Sequence, residues 1–183
     1  MDRDALKKNQ ERTIAALRRS PSAGRGTRST TVTASDGLTC EIRDGEFTLT
    51  ADLAPSLGGG GKGPDSGAFG RGALGSCLVI SYLLWAARLD IPVDHVEVVV
   101  ESDYDMRGRF GLDPELSPGW QRLRYTTYID SPAPAEKLQE LFEIADKHSP
   151  LLDDFLRSLP VEGKLTLGRR QAAPSRPVQE TLV

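Results

Sequence analysis

The sequence predicts an α+β fold in which short antiparallel strands precede one buried helix, and two longer strands and two amphipathic helices follow it. Three patterns carry this prediction: β-rich segments punctuated by Asp-Gly dipeptides, a helical segment that is apolar on nearly every side, and two alternating strands. A chain of 183 residues that is 38% hydrophobic is long enough to bury one such core.

The two ends of the chain differ from its middle in composition. Within the first twenty residues, apolar side chains recur on one face of a helix at Leu6, Ile14 and Leu17. This stripe is thin, so we expect the helix to dock on the domain body or on a partner subunit. With the linker composition of residues 21–26, it makes 1–27 an N-terminal helix and linker. Residues 169–183 carry two prolines and few apolar side chains, which predicts a flexible C-terminal tail.

Residues 29–35 and 38–50 are rich in Thr, Val, Ile, Leu and Phe. The dipeptides Asp36-Gly37 and Asp44-Gly45 are typical of tight turns between antiparallel strands. We therefore expect a meander of short strands, in which Cys40 fills space.

Residues 56–64 form a glycine-rich loop that only superficially resembles a phosphate-binding loop. The residue after Lys62 is Gly63 instead of Ser or Thr, so that motif fails. Its four successive glycines are better explained by a backbone that needs positive φ angles or a close approach to another chain.

The central helix is predicted from about Ala68 to Leu89, where apolar residues surround the helix axis and include Cys77. Beyond it, residues 96–100 and 122–129 alternate as two long strands that we expect to pair. Helical spacing resumes after Pro134 and again after Pro150. A last strand is expected near 162–167.

Composition excludes several classes of function. The formal net charge of -3 gives no general basic field, so we expect neither a nucleic-acid partner nor a membrane surface. The charged N-terminus and the lack of an apolar run near 20 residues predict a cytoplasmic protein. Two cysteines and two histidines, without a Cys-x-x-Cys pair, argue against a metal site. No cofactor is expected.

Four segments in order resemble the OsmC/Ohr family of osmotically inducible and organic-hydroperoxide-resistance proteins. They are Gly61-Lys62-Gly63-Pro64, then Ala73-Leu74-Gly75-Ser76-Cys77, then Val96–Ser102 leading into Asp105-Met106-Arg107-Gly108, and finally Ala145-Asp146-Lys147-His148-Ser149-Pro150. The resemblance covers residues 28–168. It implies an OsmC-like domain in an intertwined homodimer, with antiparallel sheets from both chains wrapped around central buried helices.

The resemblance also implies that Cys77 stands where the family has its peroxide-attacking cysteine. The family's second cysteine corresponds to Ser149, so a redox cycle would need an external thiol. The family's carboxylate corresponds to Gly67, and its activating arginine has no clear counterpart; Arg25, Arg28 and Arg43 are candidates from across a dimer interface. His148 is brought near Cys77 and is a possible supporting residue, together with Ser149.

Two functions therefore stay open at this point. One is a thiol-dependent peroxidase of the oxidative stress response, which reduces organic hydroperoxides through Cys77 alone. The other is a catalytically inactive dimer that binds a small apolar ligand, with Cys77 as part of the pocket lining. A cation and an opening to solvent at the thiol would favour the enzyme, whereas a sealed aliphatic shell would favour the binding protein.

Overall fold

The computed structural model describes residues 2–168, and the tail predicted at residues 169–183 lies outside the described residues. The elements follow one another along the chain as α1 Arg3–Arg19, β1 Thr31–Asp36, β2 Thr39–Asp44, β3 Phe47–Ala51, α2 Ser66–Arg88, β4 His95–Tyr104, α3 Met106–Arg109, β5 Trp120–Asp130, α4 Ala135–Lys147 and α5 Pro150–Leu156. This arrangement confirms the predicted α+β class, its meander, its central helix, its long strand pair and its helix pair.

The meander is an antiparallel sheet in the order β1-β2-β3. Its two turns contain Gly37 and Gly45 with φ angles of 57° and 56°, the left-handed region that favours glycine. Every residue of β1 is exposed, and only Ala51 of β3 is partly covered. The two outer strands of the sheet are thus largely uncovered by the described residues of the chain.

The glycine-rich loop folds around the buried carboxylate of Asp52. That carboxylate accepts hydrogen bonds from the backbone N–H groups of Gly60 and Lys62, each at 3.1 Å, and from the Thr39 hydroxyl at 3.0 Å. A Cβ atom at Gly59 would stand 2.0 Å from the carbonyl oxygen of Leu53. Gly58 and Gly61 have φ angles of 86° and 64°, which confirms the expected need for positive φ. The close approach at Gly59 is made to the same chain and not to another chain.

Helix α2 supplies most of the core. It begins at Asp65, whose carboxylate accepts the backbone N–H of Ala68 at 2.7 Å and so caps the helix. Leu74, Leu78 and Tyr82 are at most 1% exposed. This face packs against β4, α4 and α5.

By length and composition α2 is able to cross a membrane, so the expectation that no apolar run approaches that length is wrong. In the fold, its apolar face forms the core of the domain together with Ile91, Leu141 and Ala145. We therefore interpret α2 as the central helix of a packed domain.

β4 and β5 form a two-stranded antiparallel sheet in which His95 pairs with Asp130 and Val100 with Tyr125. One face of the hairpin packs on the core through Val96, Val98, Val100, Leu123 and Ile129. The alternating sequence pattern correctly placed these side chains.

The strand predicted near 162–167 is wrong. After α5, residues 158–167 form no helix or strand, and Val161, Leu165 and Leu167 are 84% to 90% exposed. An alternating pattern becomes a strand only where a second strand supplies hydrogen bonds, and the described part of this chain offers none to this segment.

Helix α1 docks on the far end of α2. The Lys7 ammonium pairs with Asp90 at 2.5 Å, and the Gln10 amide donates to the Leu84 carbonyl at 3.0 Å. The predicted linker includes a short 3-10 turn, Pro21–Gly24. The domain division at residue 28 stays a prediction.

Candidate functional site

Cys77 lies in the middle of α2 and lines a cavity of about 440 Å³ that opens between α2 and the junction of α4 with α5. The lining is mainly aliphatic and aromatic, and it consists of Ala73, Ser76, Cys77, Ile80, Ser81, Leu84, Trp85, His148, Pro150 and Leu151. The thiol is half-buried and free of any disulfide. It therefore faces a space that suits a small apolar molecule.

Ser149 is the polar neighbour of the thiol. Its Oγ atom lies 3.5 Å from Cys77 Sγ, and either group can be the donor. Ser149 is fully buried, and Pro150 follows it in the first turn of α5. A buried hydroxyl needs a hydrogen-bond partner, and here that partner is the thiol. The fold thus brings together two residues that are 72 positions apart.

His148 contributes its ring to the cavity wall. The imidazole stacks on the indole of Trp85, with ring centroids 4.9 Å apart, and the Arg88 guanidinium lies 4.5 Å from the centroid of the same indole. The hydrogen bond of Cys77 goes to Ser149, so the geometry does not form a Cys–His dyad. The structure brings His148 into the site as part of an aromatic wall.

Among the residues that the structure describes, those that line this cavity include no Lys, Arg, Asp or Glu. Gly67, which stands where the resemblance implies a carboxylate, lies in the first turn of α2. Arg71 donates to the Ser102 hydroxyl at 3.1 Å, and Arg43 pairs with Glu41 at the surface. The described part of one chain therefore supplies no guanidinium to the thiol.

A partly buried polar cluster lies on the core side of the site, and none of its residues was predicted to be functional from the sequence. The Asp146 carboxylate accepts a hydrogen bond from the Tyr82 hydroxyl at 2.6 Å and another from the Tyr125 hydroxyl. Thr127 donates to the Tyr82 oxygen at 3.1 Å. Burial, reinforced by the bond to Asp146, raises the pKa of both tyrosines well above the usual value. Both hydroxyls therefore stay protonated and remain donors.

Two signals in the sequence point toward this cluster. A tyrosine on an otherwise apolar helix needs a partner for its hydroxyl, and Tyr82 is such a residue. An acidic residue in the last turn of a helix opposes the helix dipole, and Asp146 occupies that position in α4.

Cys40 lies apart from the site, in the middle strand of the meander. Its Sγ donates to the Leu38 carbonyl at 3.6 Å, and the residue is partly buried. Among the described residues, no group of three or more His, Cys, Asp or Glu side chains could hold a metal ion.

Comparison with known families decides the assignment. The family of OsmC-like proteins matches residues 59–164, which include most of the glycine-rich loop, all of α2 and the junction that carries Ser149. The chain belongs to the OsmC-like protein family.

Solved structures share the fold of this OsmC-like chain. An OsmC like protein from Mycoplasma pneumoniae is 17% identical with a TM-score of 0.62, and the match covers 72% of this chain and 88% of that one. A putative osmotic stress induced and detoxification response protein from Psychrobacter arcticus is 13% identical with a TM-score of 0.56, covering 70% and 88%. An organic hydroperoxide resistance protein OsmC from Legionella pneumophila is 18% identical with a TM-score of 0.51, covering 70% and 90%. At these identities the likeness shows the fold alone. No curated protein matches the chain at a significant level.

Proposed function

We propose that this OsmC-like protein is a thiol-dependent redox protein that reduces organic hydroperoxides at Cys77, with an external thiol as reductant. The observation that carries the proposal is the position of the thiol, which lines an open apolar cavity and has a buried hydroxyl 3.5 Å away. The cavity gives access to the alkyl or aryl group of a peroxide, and the hydroxyl gives polar support to the sulfur.

The first half of the reaction is an attack of the Cys77 thiolate on one peroxide oxygen. A sulfur–oxygen bond forms as the O–O bond breaks, the sulfur is oxidised to sulfenic acid, and the departing alkoxide takes up a proton to give the alcohol. The Ser149 hydroxyl can donate a hydrogen bond to the thiolate before the attack. This bond favours the ionised thiol, which is the nucleophile.

The second half needs a thiol from outside the chain. Ser149 cannot form a disulfide, and Cys40 lies in the meander sheet. An external thiol would condense with the sulfenic acid, releasing water and leaving a mixed disulfide on Cys77. A second external thiol would then attack that disulfide, which restores Cys77 and releases the oxidised reductant.

We further propose that the protein acts as a homodimer. A three-stranded sheet needs cover on at least one face to be stable, yet the meander shows Val32, Leu49 and Phe47 at 50% to 76% exposure. Ile80, in the wall of the Cys77 cavity, is 55% exposed. A second copy that covers the meander and this face of α2 would remove both surfaces from water. Size-exclusion chromatography with light scattering should then give twice the mass of the chain.

The homodimer is also where a cation could reach the thiol. Arg25 and Arg43 lie outside the cavity of their own chain, and both belong to the part of the chain that precedes the glycine-rich loop. For a protein of the oxidative stress response that uses an external thiol, we propose a cytoplasmic location.

The test is to treat the reduced protein with cumene hydroperoxide and trap sulfenic acid with dimedone, followed by peptide mass spectrometry. The expected result is an adduct on Cys77 in the wild type and in Cys40→Ser, and none at this position in Cys77→Ser. If Cys77 stays a free thiol under excess peroxide while circular dichroism shows a folded protein, the peroxidase proposal is wrong.

A second candidate is an inactive OsmC-like dimer that binds a small apolar ligand in the same cavity. The observation that favours it is the uncharged lining of that cavity. Cumyl alcohol has the shape of the peroxide without its O–O bond. Titration with this alcohol would quench the fluorescence of Trp85 whether the protein is a peroxidase or an inactive binding protein. Binding of the alcohol together with an unreactive Cys77 would support this second function.

A further inference from the structure

We propose that Asp146 is a positioning residue that holds Ser149 against Cys77. The inference rests on the proposed function, because it concerns how the same thiol is prepared for reaction. It is carried by two hydrogen bonds from tyrosines to the Asp146 carboxylate and by a third from the Ser149 N–H to the backbone carbonyl of the same residue.

The carboxylate of Asp146 joins three elements of the fold. Tyr82 donates to it from α2 at 2.6 Å, and Tyr125 donates to it from β5. Because Asp146 itself lies in the last turn of α4, these two bonds tie the end of that helix to the central helix and to the hairpin. The position opposes the α4 dipole, so the stability of α4 alone does not explain an acid there.

The same residue governs the backbone that follows. The Ser149 N–H donates to the Asp146 carbonyl at 3.2 Å, and the His148 N–H donates to the Ala145 carbonyl at the same distance. Tyr82 stands five residues after Cys77 on α2. The carboxylate therefore anchors the Ser149 turn to the same helix that carries the thiol. A displaced α4 terminus would separate Ser149 Oγ from Cys77 Sγ.

A different role for Asp146, as a plain negative charge near the thiol, predicts the opposite result. A nearby carboxylate disfavours a thiolate, so loss of its charge would speed the reaction of Cys77. If Asp146 is a positioning residue, its loss would instead slow the reaction of Cys77, because the Ser149 hydroxyl would no longer support the sulfur. The other ionisable groups at this level are His148 in the cavity wall, and Tyr82 and Tyr125, which stay protonated because burial raises their pKa.

The experiment measures the alkylation rate of Cys77 by monobromobimane across a range of pH, with all variants in a Cys40→Ser background. We expect Asp146→Asn to react more slowly, with the midpoint of its pH profile moved upward and a loss of roughly tenfold at neutral pH, as for a hydrogen bond to a charged group. In a Ser149→Ala background, Asp146→Asn should bring no further loss. Glu143→Gln is the matched control, because it removes the same charge from an exposed site on α4.

Faster alkylation of Asp146→Asn, or a loss that adds fully to that of Ser149→Ala, would overturn the positioning role. Tyr125→Phe removes one of the two donors and leaves the charge, so it should slow alkylation in the same direction; an unchanged rate would also overturn it. This variant decides the matter if Asp146→Asn does not fold by circular dichroism. Alkylation needs no peroxide, so a Cys77 that is inert to cumene hydroperoxide would refute the proposed function and leave this inference standing.

Discussion

Replacing Ser149 with cysteine should give the protein an internal disulfide to Cys77. The Ser149 Oγ atom already lies 3.5 Å from Cys77 Sγ. A disulfide needs a separation of about 2.05 Å, so the two sulfur atoms must approach by roughly 1.5 Å. Ser149 is the N-cap residue of the short helix α5 and lies outside its hydrogen-bonded turns, so its side chain can shift without breaking that helix.

The stabilisation can be worked from the loop that the bond would close. Residues 77 and 149 are 72 positions apart. Closing a loop of this length lowers the entropy of the unfolded chain by an amount worth about 4 kcal/mol, and engineered bonds often deliver less. For a chain of this size each kcal/mol moves the melting temperature by about 2 to 4 °C. We therefore expect the oxidised variant to melt higher than its reduced form by on the order of 10 °C.

Two assays check this prediction. After treatment with one equivalent of cumene hydroperoxide, non-reducing peptide mass spectrometry of Ser149→Cys should show a disulfide from Cys77 to the introduced thiol. The same disulfide should form when Cys40→Ser is added to this variant. The melting temperature is then compared with and without dithiothreitol. The reasoning is refuted if Ser149→Cys still carries two free thiols at positions 77 and 149 after the peroxide treatment, or if a disulfide forms to Cys40 instead.

Three further changes test the core and the glycine-rich loop. Leu141→Ala removes a fully buried side chain from the α2–α4 contact and should lower the free energy of unfolding by about 2 to 5 kcal/mol in urea denaturation. Hydrogen bonds from backbone N–H groups hold the pKa of Asp52 below its usual value, so its contribution to stability is present above the unfolded pKa and is lost as the pH falls through the lower folded pKa. Asp52→Asn should therefore be less stable than the wild type at pH 7, with the difference shrinking below about pH 4. Gly59→Ala places a methyl group against the Leu53 carbonyl and should lower the melting temperature, whereas Gly72→Ala, whose Cβ meets nothing within 4 Å in the chain, should not.

The sequence predicted the elements that depend on local patterns. The alternation along β4 and β5, the Asp-Gly turns of the meander and the apolar surface of α2 each arise from side chains a few residues apart. The last strand was wrong because strand formation depends on a distant partner, and the segment after α5 has none among the residues described here. The segment does carry the alternating apolar side chains, but side chains such as Leu165 are exposed because no second strand pairs with it in the described part of the chain.

In the candidate site, too, some residues were predicted from the sequence and others are shown only by the fold. Cys77 and Ser149 were placed together through the resemblance to a family, and the structure sets them in hydrogen-bonding contact. The carboxylate cluster of Asp146 was missed because its members come from α2, β5 and α4, and only the tertiary fold makes them neighbours. Each had a local signal, but neither the tyrosines nor the acid indicates its partner in the sequence.

The central claim is that Cys77 reacts with an organic hydroperoxide in the absence of any second thiol in the site. The most direct measurement is a single-turnover titration of the reduced protein with cumene hydroperoxide, in which free thiol and remaining peroxide are both counted. The account predicts that the wild type and Cys40→Ser each consume one equivalent of peroxide per chain as the Cys77 thiol disappears, and that dithiothreitol restores it. A wild type that consumes no more peroxide than Cys77→Ser would contradict it.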